Sequence, residues 1–400
     1  MTVSNTFNAD QTSCIRILCV DDPAVRLYEQ NGELISTWSK ANGTKVDIVI
    51  LPWEKYPEKV YSVLQSGSSE FDVVMLPGYF WLPKFAANGW LTPLTNLAVE
   101  NSAAWQAYDY EDILPRIRTE LALDGQVYLL PSFSEVQVVY YRKDLLQKTG
   151  ISQIESPVSL EKWLEIAKTL HNPAGDLYGA HFKGATTEAL VEWLPFYTAA
   201  GGFLPTGEED KTLPESETHQ SLRQLKEFLP YCRPDVSESD NATLFEMLTT
   251  GKVGIVNHWS GQLGPIMNPE VNPFTEDYGF ASLEHPWGTV WAFGISSASQ
   301  HKLEAFSCLL HLTGASADLQ QGKFSGSPAR RSSFENKKAA KDYPWFPALL
   351  QAIERKNTFP ATQSFADKMG YFYSMVHEFI SGNQSAENAV QELNQKLELE

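Results

Sequence analysis

Aromatic side chains that directly follow predicted strands are the residues of this sequence best suited to chemistry. Tyr79 and Trp81 follow one apolar run, Trp259 follows a second, and Trp287 and Trp291 lie within a third β-prone segment. An aromatic face packs against the C–H groups of a sugar ring, while nearby polar groups hydrogen-bond its hydroxyls. The pattern predicts a binding site for a sugar or a related polar small molecule.

A place in the hydrophobic core is the alternative for each tryptophan, because this residue type is highly buried on average. Trp163 and Trp193 lie on predicted helices, and we expect both to be core residues. The four tryptophans outside helices have an equally good explanation as ligand contacts, because binding residues are enriched in loops held by a rigid scaffold.

Polar residues in similar positions could complete such a site. Asp21 and Asp22 follow the first predicted strand, and Ser134 and Glu135 lie in a polar break between two β-prone runs. Both pairs also have a structural explanation, because an Asp before a Pro is a common helix start and hinge residues are commonly polar.

Motifs for catalysis and for cofactors are absent. The sequence contains no GxxxxGK[ST], GxGxxG, GxSxG or HExxH pattern, and these patterns mark phosphate, dinucleotide, nucleophile and zinc sites. Its 49 Asp and Glu residues allow many acid–base pairs, but nothing selects one. We therefore expect no enzyme, no metal and no cofactor.

The four cysteines lack CxxC spacing, and we expect most of them to be buried. Arg330 and Arg331 are expected to form a solvated surface pair.

Length and composition predict a globular protein of two domains. The chain has 400 residues and a net charge of −18, so it is too long for one ordinary core and would repel nucleic acid and anionic lipid. No window approaches the apolar length of a transmembrane helix.

The N-terminal stretch MTVSNTFNADQTSC has neither the basic region nor the apolar region of an export signal. Either the protein stays inside the cell, or its leader is missing from this sequence.

The first third of the chain reads as alternating strands and helices. Nearly continuous apolar runs at 15–20, 46–51 and 71–76 predict strands buried on both faces, as in a parallel sheet flanked by helices. Such sheets bind ligands in loops at the carboxyl ends of their strands, here 21–23 and 77–81. Beyond residue 150 the chain is mainly helical, with helices expected at 160–170, 222–229, 241–248, 303–312, 369–380 and 386–397.

The segment 124–150, DGQVYLLPSFSEVQVVYYRKDLLQKTG, joins two β-prone runs through the polar break at 131–135. A strand interrupted in this way is a natural place for a chain to cross between two lobes. Residues 280–295, with Trp287 and Gly288 in the middle, predict a second crossing. A ligand cleft is expected beside such crossings.

These segments resemble the family 1 extracellular solute-binding proteins, the sugar-binding components of bacterial ABC importers. FDVVMLPGYFWLPKFAANGWLTPL, DGQVYLLPSFSEVQVVYYRKDLLQKTGI and LFEMLTTGKVGIVNHWSGQL are similar to the family's ligand loop, hinge and tryptophan segments. PWGTVWAFGIS, GSPARRSSF and GNQSAENAVQELNQKL resemble its second crossing, a later turn and its closing helix. Each motif is weak alone, but their order over nearly the whole length is specific.

The resemblance implies a two-lobed α/β fold, periplasmic-binding-protein-like and of type II, with a hinge and a ligand cleft between the lobes. We expect the first lobe to comprise residues 12–130 and 287–335 and the second, richer in helix, to comprise 131–286 and 336–400. Many relatives have a polar or acidic residue where this chain has Pro77-Gly78.

The resemblance also implies a set of ligand-binding positions at the matching segments. They are Asp21, Asp22, Tyr79, Trp81, Ser134, Glu135, Trp259, Ser260, Trp287 and Gly288.

The implied function is capture of a sugar or oligosaccharide by hinge closure and its delivery to the transmembrane permease subunits of an ABC importer. The implied location is the periplasm or the cell surface, and we expect a monomer. A carbohydrate-active enzyme such as a glycoside hydrolase is the alternative, because a cleft rich in Trp and carboxylates would suit it too. A cytoplasmic sensor or scaffold with the same lobes is a weaker alternative, favoured if the native gene lacks a leader.

Overall fold

The structure is a computed structural model that describes residues 13–30, 32–151, 153–205 and 212–398. At helical positions 29, 30, 79, 363, 364 and 366 only the backbone is described. The strands are β1 Cys14–Val20, β2 Lys45–Leu51, β3 Val73–Pro77, β4 Ala122–Leu123, β5 Gln126–Val127, β6 Leu129–Arg142, β7 Ile255–Trp259, β8 Tyr278–Ala281 and β9 Gly288–Ile295.

Helices surround these strands, as the alternating pattern of the sequence predicts. They are α1 Arg26–Gln30, α2 Gly32–Asn42, α3 Tyr56–Gln65, α4 Gly78–Ala87, α5 Leu94–Glu100, α6 Ser102–Tyr108, α7 Pro115–Arg118, α8 Lys143–Lys148, α9 Leu160–Leu170, α10 Ala189–Ala199, α11 Glu215–Phe228, α12 Asn241–Thr249, α13 Leu263–Ile266, α14 Lys302–Leu312, α15 Ala315–Phe324, α16 Arg331–Glu335, α17 Lys337–Asp342, α18 Phe346–Arg355, α19 Gln363–Ile380 and α20 Ala386–Glu398.

The main sheet has seven strands in the order β2-β1-β3-β9-β6-β7, with β8 paired to β6. β1 pairs in parallel with β2 and β3. β9 pairs antiparallel with β3 on one edge and antiparallel with β6 on the other. The predicted parallel strands of the first third are confirmed, and so is the α/β fold class. The helix expected at 160–170 is confirmed as α9, and the Oγ of Ser159 caps it by accepting from the N–H of Lys162 at 3.2 Å.

The strand β6 connects the two halves of the sheet. Its first half, Leu129 to Val136, pairs with β9, and its second half, Gln137 to Arg142, pairs with β7 and β8. All of its residues are buried. The polar break predicted at 131–135 is therefore wrong in form, because the chain stays in the strand and shifts register between Pro131 and Phe133. Pairing with β9 satisfies the backbone where a loop was expected, together with the hydrogen bond that the N–H of Ser134 donates to the carbonyl of Ser327 at 3.0 Å.

Two hydrophobic clusters lie on either side of this strand. The first contains the side chains of β1, β3 and β9, and the second contains those of α9, α10 and α11. Along β6, Val138 and Tyr140 belong to the first cluster and Val139 and Tyr141 to the second, because successive side chains of a strand point to opposite faces. Trp163 and Trp193 are fully buried in the second cluster, as predicted. The predicted boundaries of the two lobes stay a prediction.

Two segments differ from the sequence prediction close to the cleft. The expected loop at 77–81 is the start of α4, which begins at Gly78. A side chain at Gly78 would place its Cβ 2.8 Å from the carbonyl oxygen of Glu120, so the close approach requires glycine. Trp259 ends β7 instead of following it, because the strand begins two residues later than expected.

Arg330 is buried, so the expectation of a solvated pair with Arg331 is wrong for this residue. Its Nε donates to the carbonyl of Thr313 at 3.2 Å and its Nη1 to the carbonyl of Asp109 at 3.0 Å. The guanidinium also lies 4.3 Å from the ring centroid of Tyr108. These contacts compensate the desolvation of a charge, and sequence spacing alone does not report them.

Gly288→Ala should destabilise the fold, because β9 approaches β6 too closely for a side chain. The new Cβ would lie 2.4 Å from the carbonyl oxygen of Glu135 and 2.8 Å from the Cα of Val136. We expect a loss of about 1–3 kcal/mol in the free energy of unfolding, measured by urea denaturation.

Gly370→Ala is the matched control, since it lies in α19 with open space around its Cα. This change should stabilise the protein by up to about 1 kcal/mol. Equal effects of the two substitutions would contradict the close approach of β9 and β6.

Candidate functional site

A cleft with a volume of about 330 Å³ lies beside the middle of β6. Its walls come from the loops after β1 and β2, the start of α4, the end of β7 and the start of β9. Residues of α10, α12 and α19 and of the segments before α10 and α19 complete it. Segments far apart in the chain therefore meet beside the strand that joins the two clusters.

Five of the predicted ligand residues line this cleft together. They are Asp21, Asp22, Trp81, Glu135 and Trp259. The first two directly follow β1, Trp81 lies in the first turn of α4, Glu135 lies on β6 and Trp259 ends β7. Contact with a ligand stays a prediction for each, but their convergence follows from the strand-end positions that the sequence indicates.

Ser134 and Ser260 do not line the cleft and are buried behind it. The Oγ of Ser134 lies 2.7 Å from the Oγ of Ser327, and the Oγ of Ser260 lies 2.8 Å from the same atom. Ser260 Oγ also accepts the N–H of Val136 at 2.9 Å. The three hydroxyls join β6 to the residues after β7 and to the turn before Arg330, so they position the site.

Trp287 and Gly288 also lie outside the lining of the cleft. The Nε1 of Trp287 donates to the Oγ1 of Thr198 at 2.9 Å, and its ring packs edge-on against Phe359, which does line the cleft. The close contact of β9 with β6 accounts for Gly288. For Tyr79 the backbone lies in α4, and its side chain is outside the described part of the structure.

One wall of the cleft is a group of three tryptophans. Trp53 stacks on Trp81 with ring centroids 6.1 Å apart and planes inclined by 11°. Trp291 meets Trp53 edge-on at 6.0 Å, and Tyr56 stacks on Trp81 at 6.2 Å. Trp53 is 42% exposed, which is unusual for so large an apolar side chain. An exposed aromatic face beside buried ones is suited to packing against a solute.

Trp259 also lines the cleft, and the charged end of a buried lysine lies against its ring. The Nζ of Lys183 lies 4.8 Å from the ring centroid of Trp259. It also lies 3.2 Å from Glu188, 3.3 Å from Glu192 and 3.3 Å from the Oδ1 of Asn241. Burial would lower the pKa of Lys183, but the carboxylates of Glu188 and Glu192 raise it above its ordinary value. The lysine therefore stays charged beside the ring of Trp259.

Several residues of the cleft escaped the sequence analysis. Trp53 comes two residues after β2 and so shows the same strand-end signal as Trp81, which could have found it. Glu188, Phe359 and Tyr373 lie in or beside helices, where no local pattern marks a ligand contact. Only tertiary packing brings such residues to the cleft.

Two carboxyl groups in the cleft are strongly affected by burial. Burial, together with the charge of Asp21, raises the pKa of Asp22 to about 7. The hydrogen bond that the N–H of Ala24 donates to Asp22 Oδ1 at 2.8 Å lowers this pKa but does not cancel the rise. Burial, and next the charge of Asp22, raise the pKa of Glu135 well above its ordinary value. The N–H of Gly261 donates to Glu135 Oε1 at 2.9 Å and opposes this shift. Both carboxyls therefore hold protons more tightly than in water.

A buried ion pair fixes the strand opposite Glu135. Thr289 lies beside Glu135 in the β6–β9 register, and its Oγ1 donates to Glu120 Oε2 at 2.9 Å. The N–H of Val290 donates to the same oxygen at 3.1 Å, and Lys356 pairs with the other oxygen. These bonds hold the start of β9 in place at the cleft.

Within the described ranges, no group of three or more His, Cys, Asp and Glu side chains is arranged to hold a metal ion. In the same part of the chain, no helix has the length and apolar character needed to cross a membrane. All four cysteines are free thiols, and three of them are buried, as expected for most of them.

Comparison with known proteins places the chain among binding proteins. The family described as bacterial extracellular solute-binding protein matches residues 29–317. A probable amino-acid ABC transporter periplasmic-binding protein of Sinorhizobium fredii is 23% identical and covers 93% of this chain and 86% of its own length.

Two solved structures share the fold. A maltose-bound T. maritima protein, MalE3, has a TM-score of 0.82 at 18% identity, covering 97% of this chain and 99% of its own. A solute-binding protein of an Agrobacterium radiobacter ABC transporter in complex with ribitol has a TM-score of 0.83 at 18% identity, covering 96% and 98%. At this identity the likeness establishes the fold, and it confirms the two-lobed α/β class.

Asp22→Asn should flatten the pH dependence of stability. The pKa of Asp22 is about 7 in the folded chain and about 4 in the unfolded chain. Between these values the folded state binds more protons, so the free energy of unfolding falls as pH rises from about 4 to about 7. The variant loses this contribution, which urea unfolding at several pH values would reveal.

Glu304→Gln, an exposed carboxyl on α14, is the matched control and should keep the slope of the wild type. A slope in Asp22→Asn equal to that of the wild type would show that the Asp22 carboxyl is not desolvated.

Proposed function

This chain belongs to the bacterial extracellular solute-binding protein family, and on that premise we propose that it captures a sugar or polyol in the cleft beside β6 for delivery to the permease of an ABC importer. The observation that carries the proposal is the cleft itself. Stacked tryptophans and carboxyl groups line a volume of about 330 Å³, which is in the size range of small-molecule sites. The maltose and ribitol bound by structurally similar proteins support this ligand class.

Capture is proposed to proceed by closure of the two lobes around the solute. Trp81 and Trp291 belong to the side of the cleft that packs on the first cluster, and Trp259 packs against the second. A solute that contacts both sides stabilises the closed state over the open one, which is the thermodynamic requirement for ligand-driven closure. Closure also removes water from the hydrogen bonds between the solute and the carboxyl groups.

The remaining features of the proposal follow from the family. We propose the periplasm or the cell surface as the site of action, the permease subunits of an ABC importer as partners, and a monomeric state. Among the proposed ligand residues, Asp21, Asp22, Trp81, Glu135 and Trp259 contact the solute directly. Ser134, Ser260, Trp287 and Gly288 act by holding the strands that carry them.

Glycoside hydrolysis is a second candidate, favoured by one observation. Glu135 has a raised pKa beside a second carboxyl group in an aromatic cleft, and a general acid of a glycosidase needs such a setting. Incubation of the protein with maltose and related oligosaccharides, followed by chromatography of the products, separates the two functions. Saturable binding without released sugar supports the binding protein, and product formation supports the enzyme.

Trp259→Ala should weaken solute binding by one to two orders of magnitude, about 1.4–3 kcal/mol. The substitution removes an aromatic face from the cleft and the cation–π partner of Lys183. Trp259→Phe keeps part of that face and should show a smaller loss. Titration calorimetry against a panel of polyols, monosaccharides and maltose measures both.

Trp105→Ala is the control, because Trp105 stacks on Tyr108 and Tyr110 and is not part of the cleft. Its affinity should match that of the wild type under conditions where the variant is folded. If Trp259→Ala bound the panel as tightly as the wild type does, Trp259 would be a core residue without a role in binding.

A further inference from the structure

We propose that the solute carries a positively charged nitrogen, as an amino sugar or an amino polyol does, and that this nitrogen binds at the carboxyl groups of Asp22 and Glu135. The inference rests on the proposed function and adds the charge of the ligand to it. It follows from the charges that line the cleft, from their partners and from the aromatic side chains that line it with them.

Every charged side chain that lines the cleft among the described residues is a carboxylate. These residues are Asp21, Asp22, Glu135 and Glu188, and no Lys, Arg or His accompanies them in the lining. An anionic solute would therefore meet repulsion from every charged group that it touches. A cationic solute would instead be attracted by each of these groups that is ionised.

Two of the four carboxylates already have a cation of the protein as partner. Asp21 forms an ion pair with Arg26, and Glu188 lies 3.2 Å from the Nζ of Lys183. The single positive charge of Lys183 is also shared with Glu192, which is fully buried. Each of these two cations is therefore paired with a carboxylate other than Asp22 and Glu135.

Asp22 and Glu135 have no ion-pair partner among the described residues. Asp22 Oδ1 accepts one backbone N–H, from Ala24, and Glu135 Oε1 accepts one, from Gly261. Glu135 is only 8% exposed, so water cannot solvate it as it would a surface carboxylate. A carboxyl group of this kind is stable either protonated or beside a cation.

The raised pKa of both carboxyl groups favours the first of these solutions when no cation is bound. An ammonium group on the solute offers the second, since it would replace the proton and form charge-assisted hydrogen bonds to both carboxylates. Lys183 opposes the shift at Glu135, and Arg26 opposes it at Asp22, but neither restores an ordinary value.

The aromatic wall favours the same ligand for an independent reason. Trp53, Trp81 and Trp291 line the cleft, and an indole face attracts a cation as well as the C–H groups of a sugar. The net charge of −18 also raises the local concentration of cationic solutes around the protein.

Matched pairs of solutes test the inference. Glucosamine and glucose differ only by an amino group in place of a hydroxyl, and so do 1-amino-1-deoxyglucitol and glucitol. Titration calorimetry at neutral pH should show that the amine of at least one pair binds about tenfold tighter than its neutral parent, which corresponds to about 1.4 kcal/mol. Because the amine displaces a proton, its binding heat should also vary with the ionisation enthalpy of the buffer.

Asp22→Asn and Glu135→Gln keep the shape of each side chain and remove its charge. Each should lower the ratio of amine to neutral affinity toward one, with folding confirmed by thermal unfolding. Glu304→Gln, on the exposed side of α14 away from the cleft, should keep both the ratio and the affinities of the wild type.

The outcomes separate this inference from the proposed function. Equal affinity within every pair would overturn the inference and leave sugar or polyol binding intact. An amine preference that survives both substitutions would also overturn it, because the ammonium group would then bind at residues other than Asp22 and Glu135. Failure of all four solutes and of the wider polyol and sugar panel to bind would overturn both proposals.

Discussion

The architecture depends on one constraint, which is that β6 stays a single buried strand along its whole length while its pairing partners change. Its 14 residues, Leu129 to Arg142, pair first with β9 and then with β7 and β8, and every one is buried. An unpaired backbone group at such depth would be costly. Two hydrophobic clusters therefore have to meet along this strand, and the cleft forms where they meet. A buried cluster of Ser134, Ser260 and Ser327 hydroxyls secures the point at which the partners change.

The same burial that stabilises the strand sets the chemistry of the cleft. Glu135 is part of β6, so its carboxyl group is held in a site with little water and only one backbone donor. Lys183 forms ion pairs with Glu188 and Glu192, and its ammonium group lies against the ring of Trp259. The cleft thus combines tryptophan side chains with two carboxyl groups, those of Asp22 and Glu135, that have no ion-pair partner among the described residues. We propose that a cationic solute supplies that partner.

Sequence patterns were informative where a site residue follows from its place at a strand end. Asp22, Trp81 and Trp259 were found in this way, and Trp53 had the same signal. The crossing at β6 was visible as two β-prone runs, but its continuity was not, because pairing with distant strands decides whether a polar stretch becomes a loop. Lys183 could not be found, since a charged residue is expected in water unless its buried partners are known. The family resemblance supplied the solute-binding role, which residue chemistry alone left open.

Binding in the cleft beside β6 is best tested by an electron-density map of the protein crystallised with the tightest-binding solute of the panel. We expect density for the solute inside the cleft, in contact with the rings of Trp81 and Trp259 and with the carboxyl group of Glu135, and we expect the two lobes to be closed around the solute. A solute bound at another surface, with none in the cleft beside β6, would contradict this binding site.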